Sequence, residues 1–447
     1  MKKLLLTIAS AALMVTAVAQ NPTTYFMEGS TLRSQWNPAF APYRGYVNIP
    51  VIGGIQVGTE GNISLSSIVI PHDGKLTTIF DGSVSRSIAL DKLNPENYLG
   101  VDTRMNILGF GAYTKNGKSF WSFDLGLRLA ADVNLPYSLF EFMKTGNSTT
   151  IEELQARAEA YAEAAFAWSW QVKPKWHLGI RGKVLLGVGR LNANIENADI
   201  HMAGDMWKMS ALGNISVSGL QLGQDGSTYT LNDISFGGLG GFGVGVDVGV
   251  TYDVLPQLQL SASVTDLGAM FWFKNKTQIA SMEESIMFDG VKIDEHGAKQ
   301  PHFDLEDFEL NAEENKGETN MLRTAINIGG EYSFLQRRIS LGLFYSVKFW
   351  ETKVRHNLVF AANFRPLYWL HVSGSLSLID NRGTAVGLAL NFCPNKGINF
   401  FVGTDVLLSK VTPQFIPVNQ SRMNVTFGIG VPIGKVGTRY PKVGKKQ

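Results

Sequence analysis

Strict alternation of apolar and polar residues is the feature that most constrains this chain. In residues 120–132 the apolar side chains fall on one face and the polar ones on the other, and residues 242–254 repeat the pattern. A period of two is that of a β-strand whose two faces meet different surroundings. The alternating runs are 9 to 15 residues long, whereas strands of soluble sandwiches average about 5–6 residues. A tilted membrane strand needs about 9–11 residues, so the pattern favours a transmembrane barrel over a soluble sandwich.

Composition excludes the main alternatives. Only 17% of the 447 residues are charged, while 47 are Gly and 11% are aromatic, which does not fit disorder. The single cysteine, Cys393, excludes a disulfide scaffold and a Cys-rich zinc module. Beyond the N-terminus no run of about 20 apolar residues could form a membrane helix. We therefore predict an all-β fold, a transmembrane antiparallel β-barrel.

Connections set the expected topology. Short turns alternate with longer connections, which gives six turns, seven loops and 14 strands, with both ends in the periplasm. The expected strands are 55–70, 102–115, 118–133, 161–173, 176–190, 238–254, 257–272, 322–335, 338–349, 354–365, 368–380, 383–393, 397–409 and 421–432. Residues 195–220 could hold an extra hairpin. Residues 150–165 carry helix formers after two threonines and predict a short external helix.

Four segments follow from this reading. Residues 1–19 have the basic start, apolar core and small-residue cleavage site of a signal peptide. Residues 20–54, rich in Pro, Asn and aromatics, are expected to fold into the barrel as a hatch or plug. Residues 55–434 form the predicted outer-membrane barrel, and residues 435–447 a basic periplasmic tail. Outer-membrane lipid is the expected surrounding, and the near-neutral mature chain gives no case for nucleic-acid binding.

Several residues are expected at particular places in the barrel. Tryptophans near predicted strand ends are interpreted as an aromatic girdle: Trp121, Trp170, Trp176, Trp272, Trp350 and Trp369. Polar residues expected to face the lumen are Asp124, Arg128, His177, Arg181, Lys183, Asp247, Glu331, His371 and Asp405.

No cofactor, metal or catalytic site is predicted. Residues 238–243 match G-x-G-x-x-G, but a strand rather than a helix follows, which argues against dinucleotide binding. No two histidines have the spacing of helical metal ligands. The acidic run Asp304, Glu306, Asp307 and Glu309 lacks the spacing of an EF-hand, so we interpret it as a solvated loop.

One short motif carries a resemblance. The candidate hatch residues are Trp36, Asn37, Pro38, Ala39 and Phe40, and Asn37-Pro38-Ala39 resembles the Asn-Pro-Ala motif of FadL-type hydrophobic-compound transporters. The longer stretch 27–40 is similar to a Bacteroidetes family of uncharacterised outer-membrane proteins with a domain of unknown function. The resemblance implies an N-terminal hatch and sideways release through a kinked strand. A local turn role for Asn37 is at least as compatible with the sequence as ligand contact.

The expected function is passive uptake of a small hydrophobic compound, driven by its concentration gradient. The alternative is a non-transporting barrel that serves as a surface scaffold or as a secretion or assembly partner. A continuous apolar cavity beside the hatch would favour the transporter, and a packed lumen the scaffold. The sequence identifies neither the ligand nor a protein partner.

Overall fold

The computed structural model describes residues 22–203, 206–226, 228–289, 293–294, 297–298, 310–350, 353–379, 383–394, 396–405 and 423–437. The predicted signal peptide, most of the basic tail and the acidic run 304–309 lie outside these residues. Elements are numbered along the chain. The strands of the barrel wall are β1 (Arg44–Asn48), β2 (Ile55–Gly61), β5 (Glu96–Tyr113), β6 (Ser119–Pro136), β7 (Thr149–Lys173), β8 (Trp176–Ala203), β12 (Gly241–Leu255), β13 (Leu258–Trp272), β19 (Ala325–Phe334), β20 (Ile339–Trp350), β21 (Lys353–Leu367), β22 (Leu370–Ile379), β23 (Gly383–Phe392), β24 (Asn399–Thr404) and β25 (Met423–Val436).

The remaining elements are shorter or lie at one end of the barrel. The other strands are β3 (Val69–His72), β4 (Lys75–Thr78), β9 (Met206–Ser218), β10 (Leu220–Asp225), β11 (Thr228–Phe236), β14 (Thr277–Asp289), β15 (Ile293–Asp294), β16 (Gly297–Ala298), β17 (Leu310–Ala312) and β18 (Glu318–Met321). The α-helices are α1 (Leu65–Ile68), α2 (Arg86–Leu90) and α3 (Tyr137–Thr145), and 3-10 helices span Pro22–Phe26, Thr31–Gln35 and Lys274–Lys276. No helix of the described chain is long and apolar enough to cross a membrane.

The wall closes on itself as an antiparallel barrel of 14 strands, as predicted. β1 and β2 form one interrupted strand, which pairs with the last strand β25 on one side and with β5 on the other. Both β1 and the end of β25 therefore lie at the end that carries the short turns. We call this the short-turn end, which in outer-membrane barrels faces the periplasm, and the other the long-loop end.

Alternation along each strand separates the two faces. In β12, Val244 and Val248 are exposed on the outer face, whereas Asp247 and Thr251 are buried on the inner face. The outer face meets lipid and the inner face meets the filled lumen, which is why the period of two is visible in the sequence. The aromatic expectation is wrong for two residues: Trp272 and Trp350 are buried inside the barrel, because both lie on the inward register of their strands.

Residues 150–165 form no helix. They belong to β7, which pairs with β6 and β8 along nearly its whole length. Ladder pairing with both neighbouring strands outweighs the helix propensity of the Ala- and Glu-rich sequence. The first strand also differs from the expected range 55–70, since it begins at Arg44 and ends at Gly61.

The long-loop end carries a second sheet, which we call the outer sheet. The upper part of β8 pairs with β9, which corresponds to the hairpin that the sequence allowed for residues 195–220. β9 pairs on its other side with β14. From there the strand order in the sheet is β14, β17, β11 and β10, each paired with the next. Buried apolar residues such as Val217 and Ala280 form a core between this sheet, the upper part of β7 and α3. The described parts of these connections therefore form a folded unit with an apolar core of its own.

Candidate functional site

Residues 22–43, here the N-terminal segment, lie inside the barrel. They are almost entirely buried, and they bond to walls on different sides of the lumen. Ser169 of β7 donates to Ala39 O (3.1 Å), and Asn391 of β23 donates to Glu28 O (3.3 Å). The segment therefore spans the interior of the barrel.

Asn37 fixes a turn against the wall. Its Oδ1 accepts from Ala39 N–H (2.8 Å), and Phe40 N–H donates to Asn37 O (2.9 Å). Its Nδ2 donates outward to the backbone oxygens of Ala262 (3.1 Å) and Val250 (3.3 Å). The Asn37 side chain has no exposed surface, and its amide groups bond to the turn itself and to the barrel wall. This supports the turn role.

Two glycines make room for this turn. Gly179 of β8 and Gly249 of β12 are directly paired neighbours in the wall. A Cβ on Gly179 would lie 2.1 Å from the backbone carbon of Pro38, and one on Gly249 would lie 2.0 Å from Oδ1 of Asn37. The wall therefore has no side chains where residues 37–39 pack against it, and a larger residue at either glycine would displace the turn.

An aromatic cluster holds the rest of the segment. Tyr25 stacks on Phe344 of β20 (centroids 4.1 Å apart) and meets Trp36 and Phe40 edge to face. Its hydroxyl bonds to Ser261 of β13 (2.8 Å). Burial raises the pKa of Tyr25 to about 12, so the phenol stays neutral.

A charged anchor joins the segment to the short-turn end. Glu28 pairs with Arg337 in the turn after β19 and with Arg365 Nε (3.7 Å), and it accepts from Tyr43 Oη (2.9 Å). Burial alone would raise the pKa of Glu28, but Arg337, Arg365 and Arg33 together hold it below its ordinary value. Glu28 is therefore a buried carboxylate that the surrounding guanidinium groups keep ionised.

A layer of ion pairs crosses the middle of the lumen. At its centre Asp266 accepts from Arg104 (2.8 Å), Arg128 (2.8 Å) and Lys183 (2.5 Å). Sequence reasoning missed Asp266, because the alternation that puts Leu260 on the lipid face of β13 and Ser261 in the lumen would also put residue 266 on the lipid face. A β-bulge opposite Asp247 and a φ of +57° turn its carboxylate inward instead.

All nine polar residues that the sequence placed in the lumen are buried. The structure brings five of them into the central layer, where Asp124 pairs with Arg181 (3.2 Å) and Asp247 with Lys183 (2.6 Å). The fifth is Arg128. Glu331 and His371 belong to the charged anchor, where Arg365 Nη2 lies 2.5 Å from Glu331.

The two remaining residues lie apart. Asp405 accepts from Thr23 of the N-terminal segment (3.0 Å). His177 lies 4.0 Å from Asp253 near the short-turn end. Within the described part of the chain, no group of three or more His, Cys, Asp or Glu residues has a geometry that suits a metal ion.

On the long-loop side of the ion pairs, the lumen carries an apolar patch. Its five residues are all buried, and we call them the lumen patch: Tyr161, Leu185, Met270, Trp272 and Leu322. Four of them come from the wall and Leu322 comes from the connection before β19. The five side chains pack together as a buried apolar cluster inside the lumen, and side chains of this kind line most small-molecule sites.

The first strand is interrupted within the wall. Asn48 pairs with Gly430 and Ile55 with Phe427, so six residues of the first strand (49–54) face two residues of β25. Val51 has a φ of +70° and is 48% exposed on the outer face. A β-branched residue rarely adopts this conformation. Behind the break, Gly54 packs near Leu32 of the N-terminal segment.

Comparison with known proteins gives a family and a set of distant structural likenesses. The model of the Family of unknown function (DUF5723) matches residues 38–405. No curated protein matches the chain.

Solved structures that resemble the chain include two toluene transporters and a FadL homologue. The Ralstonia pickettii toluene transporter TbuX is 11% identical, with 89% of this chain and 92% of that one covered and a TM-score of 0.44. The P. putida toluene transporter TodX is 11% identical, with 94% of each chain covered and a TM-score of 0.41. A Pseudomonas aeruginosa FadL homologue is 9% identical, with 93% and 98% covered and a TM-score of 0.44.

Proposed function

The chain belongs to the Family of unknown function (DUF5723), which assigns no ligand, and we propose from the geometry that it is a channel for passive uptake of a small apolar compound. In this proposal the compound enters at the long-loop end and binds at the lumen patch. The N-terminal segment acts as a hatch that blocks the direct path to the periplasm. The compound then leaves sideways into the bilayer through the interrupted first strand, driven by its concentration gradient.

The interruption of the first strand is the observation that carries the proposal. Unusual backbone conformations cost about 1–3 kcal/mol, persist only where the surrounding structure enforces them, and cluster at functional sites. Val51 is such a residue, with a φ of +70°, and its side chain is 48% exposed. The break is closed by four backbone bonds of 2.7–3.1 Å, two to β25 and two to β5. These six residues therefore make fewer ladder bonds than six residues of a regular strand, and we infer that the wall opens here.

A deletion tests the sideways exit. Removing residues 50–53 leaves Ile49 and Gly54 opposite Ile429 and Gly428, so the first strand would pair with β25 without a break. We expect this variant to insert as a barrel but to lose uptake. Uptake is measured as the fluorescence rise of N-phenylnaphthylamine, an apolar dye, added to intact cells that express the protein. For the deletion variant we expect the same fluorescence rise as for cells that lack the protein.

Val51→Gly is the matched control. Glycine adopts a positive φ without cost, so the break stays while its strain is relieved, and uptake should persist. Gel mobility without boiling reports whether each barrel is folded. Undiminished dye uptake by the folded deletion variant would reject the sideways exit.

A second candidate, a surface scaffold, is favoured by the outer sheet. This sheet packs its own apolar core, with Val217 and Ala280 among its buried residues, and passive uptake does not require such a structure. Wild-type cells that take up no more dye than cells without the protein would favour the scaffold over the channel.

A further inference from the structure

Exposed basic side chains surround the short-turn end of the barrel. They lie in or beside four of the six short turns, and we call them the basic rim: Lys115, Lys118, Lys173, Lys175, Arg338 and Lys396. The six turns, residues 114–118, 174–175, 256–257, 335–338, 368–369 and 393–398, contain no Asp or Glu. The turns themselves therefore carry positive charge only, and a neighbouring acid, Asp253, lies just before the turn 256–257 with its side chain 33% exposed.

This charge is specific to one end. The whole chain is nearly neutral, with 40 basic and 38 acidic residues. At the long-loop end, the connection spanning residues 274–321 holds twelve acidic and five basic residues, counted from the sequence. The chain also leaves β25 at the short-turn end, and the residues after Gly437 include four more bases. The two ends thus offer opposite charge to their surroundings.

Apolar side chains on the lipid face lie next to the basic ones. Val172 is 49% exposed beside Lys173, Trp176 is 42% exposed beside Lys175, and Leu335 is 68% exposed in the turn that carries Arg338. Lipid-facing apolar or aromatic side chains with bases close by are typical of the level where acyl chains meet headgroups. The basic groups therefore stand at the level of the phosphates in the adjoining leaflet.

The bases are also spread around the circumference. Their turns join β5 to β6, β7 to β8, β19 to β20, and β23 to β24. A single protein partner would contact one sector of the rim, whereas lipid surrounds all of it. We propose that the basic rim binds the phosphate groups of anionic phospholipids in the periplasmic leaflet.

Lipid selectivity of the purified full-length protein tests this proposal. The protein is placed in vesicles of phosphatidylcholine and phosphatidylglycerol, with one lipid brominated at a time, and quenching of its tryptophan fluorescence gives the relative affinity. A single base near an anionic surface is worth about a fivefold gain in binding, so we expect the wild type to prefer phosphatidylglycerol about fivefold at low salt. In 1 M salt, where the Debye length is about 3 Å, this preference should fall.

Three variants identify the source of the preference. Replacing all six rim bases by Gln should abolish it, and exchanging Lys for Arg and Arg for Lys at the same sites should retain it. The third variant replaces six exposed bases near the long-loop end by Gln and should also retain it: Lys75, Arg86, Lys92, Lys208, Lys274 and Lys316. Unboiled gel mobility verifies that each barrel is folded.

Two results would overturn the proposal. One is equal quenching by the two lipids in the wild type, which would leave an acidic protein as the alternative partner of the rim. The other is an undiminished preference in the folded six-Gln variant of the rim.

Discussion

Replacing Gly179 by alanine should loosen the N-terminal segment without affecting the barrel. The added Cβ would lie 2.1 Å from the Pro38 carbonyl carbon and 2.3 Å from Ala39 N, whereas ordinary contact begins at 3.4 Å. Both opposing atoms belong to the backbone, so no side-chain rotation relieves the overlap. The turn must move away from the wall by more than an ångström.

This displacement breaks the two hydrogen bonds from Asn37. They measure 3.1 and 3.3 Å, so an added ångström puts both out of range. Each bond is worth about 1 kcal/mol, and overpacking costs about 1–3 kcal/mol. Docking of the segment should therefore weaken by about 3–5 kcal/mol. Alanine is no worse than glycine within a strand, so the barrel itself should stay intact.

Conductance across a planar bilayer measures the effect. We expect Gly179→Ala to open more often than the wild type, and Asn37→Ala with Pro38→Ala to show a smaller increase, since it removes the bonds without the overlap. Gly182→Ala is the matched control, because it lies in the same strand and its Cβ would meet open space. Identical conductance for Gly179→Ala and Gly182→Ala would refute the reasoning.

Three further outcomes are expected. Asp266→Asn leaves three buried cations without their shared partner and should cost about 3–5 kcal/mol; the temperature at which the unboiled gel band disappears should fall, and an unchanged temperature would contradict this. The pKa of Glu28 is lowered in the folded state, so the ionised carboxylate stabilises docking of the N-terminal segment fully above pH 4.5, its ordinary pKa, and less as the pH falls below that value. Conductance should therefore rise only in that acid range, and Glu28→Gln should remove the pH-dependent rise. In a Cys393→Ser background, a cysteine at Gly226 should react with an impermeant reagent on whole cells and one at Asn116 should not, and the opposite labelling would invert the barrel.

The regular part of the fold was predictable because the two faces of a barrel strand meet opposite surroundings. Asp124 and Arg181 could be placed in the lumen from their register alone, since each lies between lipid-facing neighbours. Residues 150–165 were misassigned because their composition favours a helix, while the pairing that makes them a strand comes from residues far away in the sequence. The helix or strand propensity of a segment does not depend on which distant strands it will pair with.

Irregular backbone was the part that could not be predicted. Asp266 turns inward because of a bulge, and a bulge depends on the count of residues in the partner strand. The same holds for Val51, whose conformation follows from an excess of residues over β25. Both positions break the period of two. A search for interruptions of the pattern would have indicated them, but it would not have shown whether each side chain faces the lumen or the lipid.

The interruption at residues 49–54 also bears on how the barrel is assembled. It lies in the seam where the first and last strands meet, so the final step of closure joins β25 to two short ladders instead of one long ladder. The N-terminal segment precedes this seam in the chain and contacts the wall on several sides. We therefore expect the segment to dock before the seam closes, and a chain that closed early to leave its N-terminus outside.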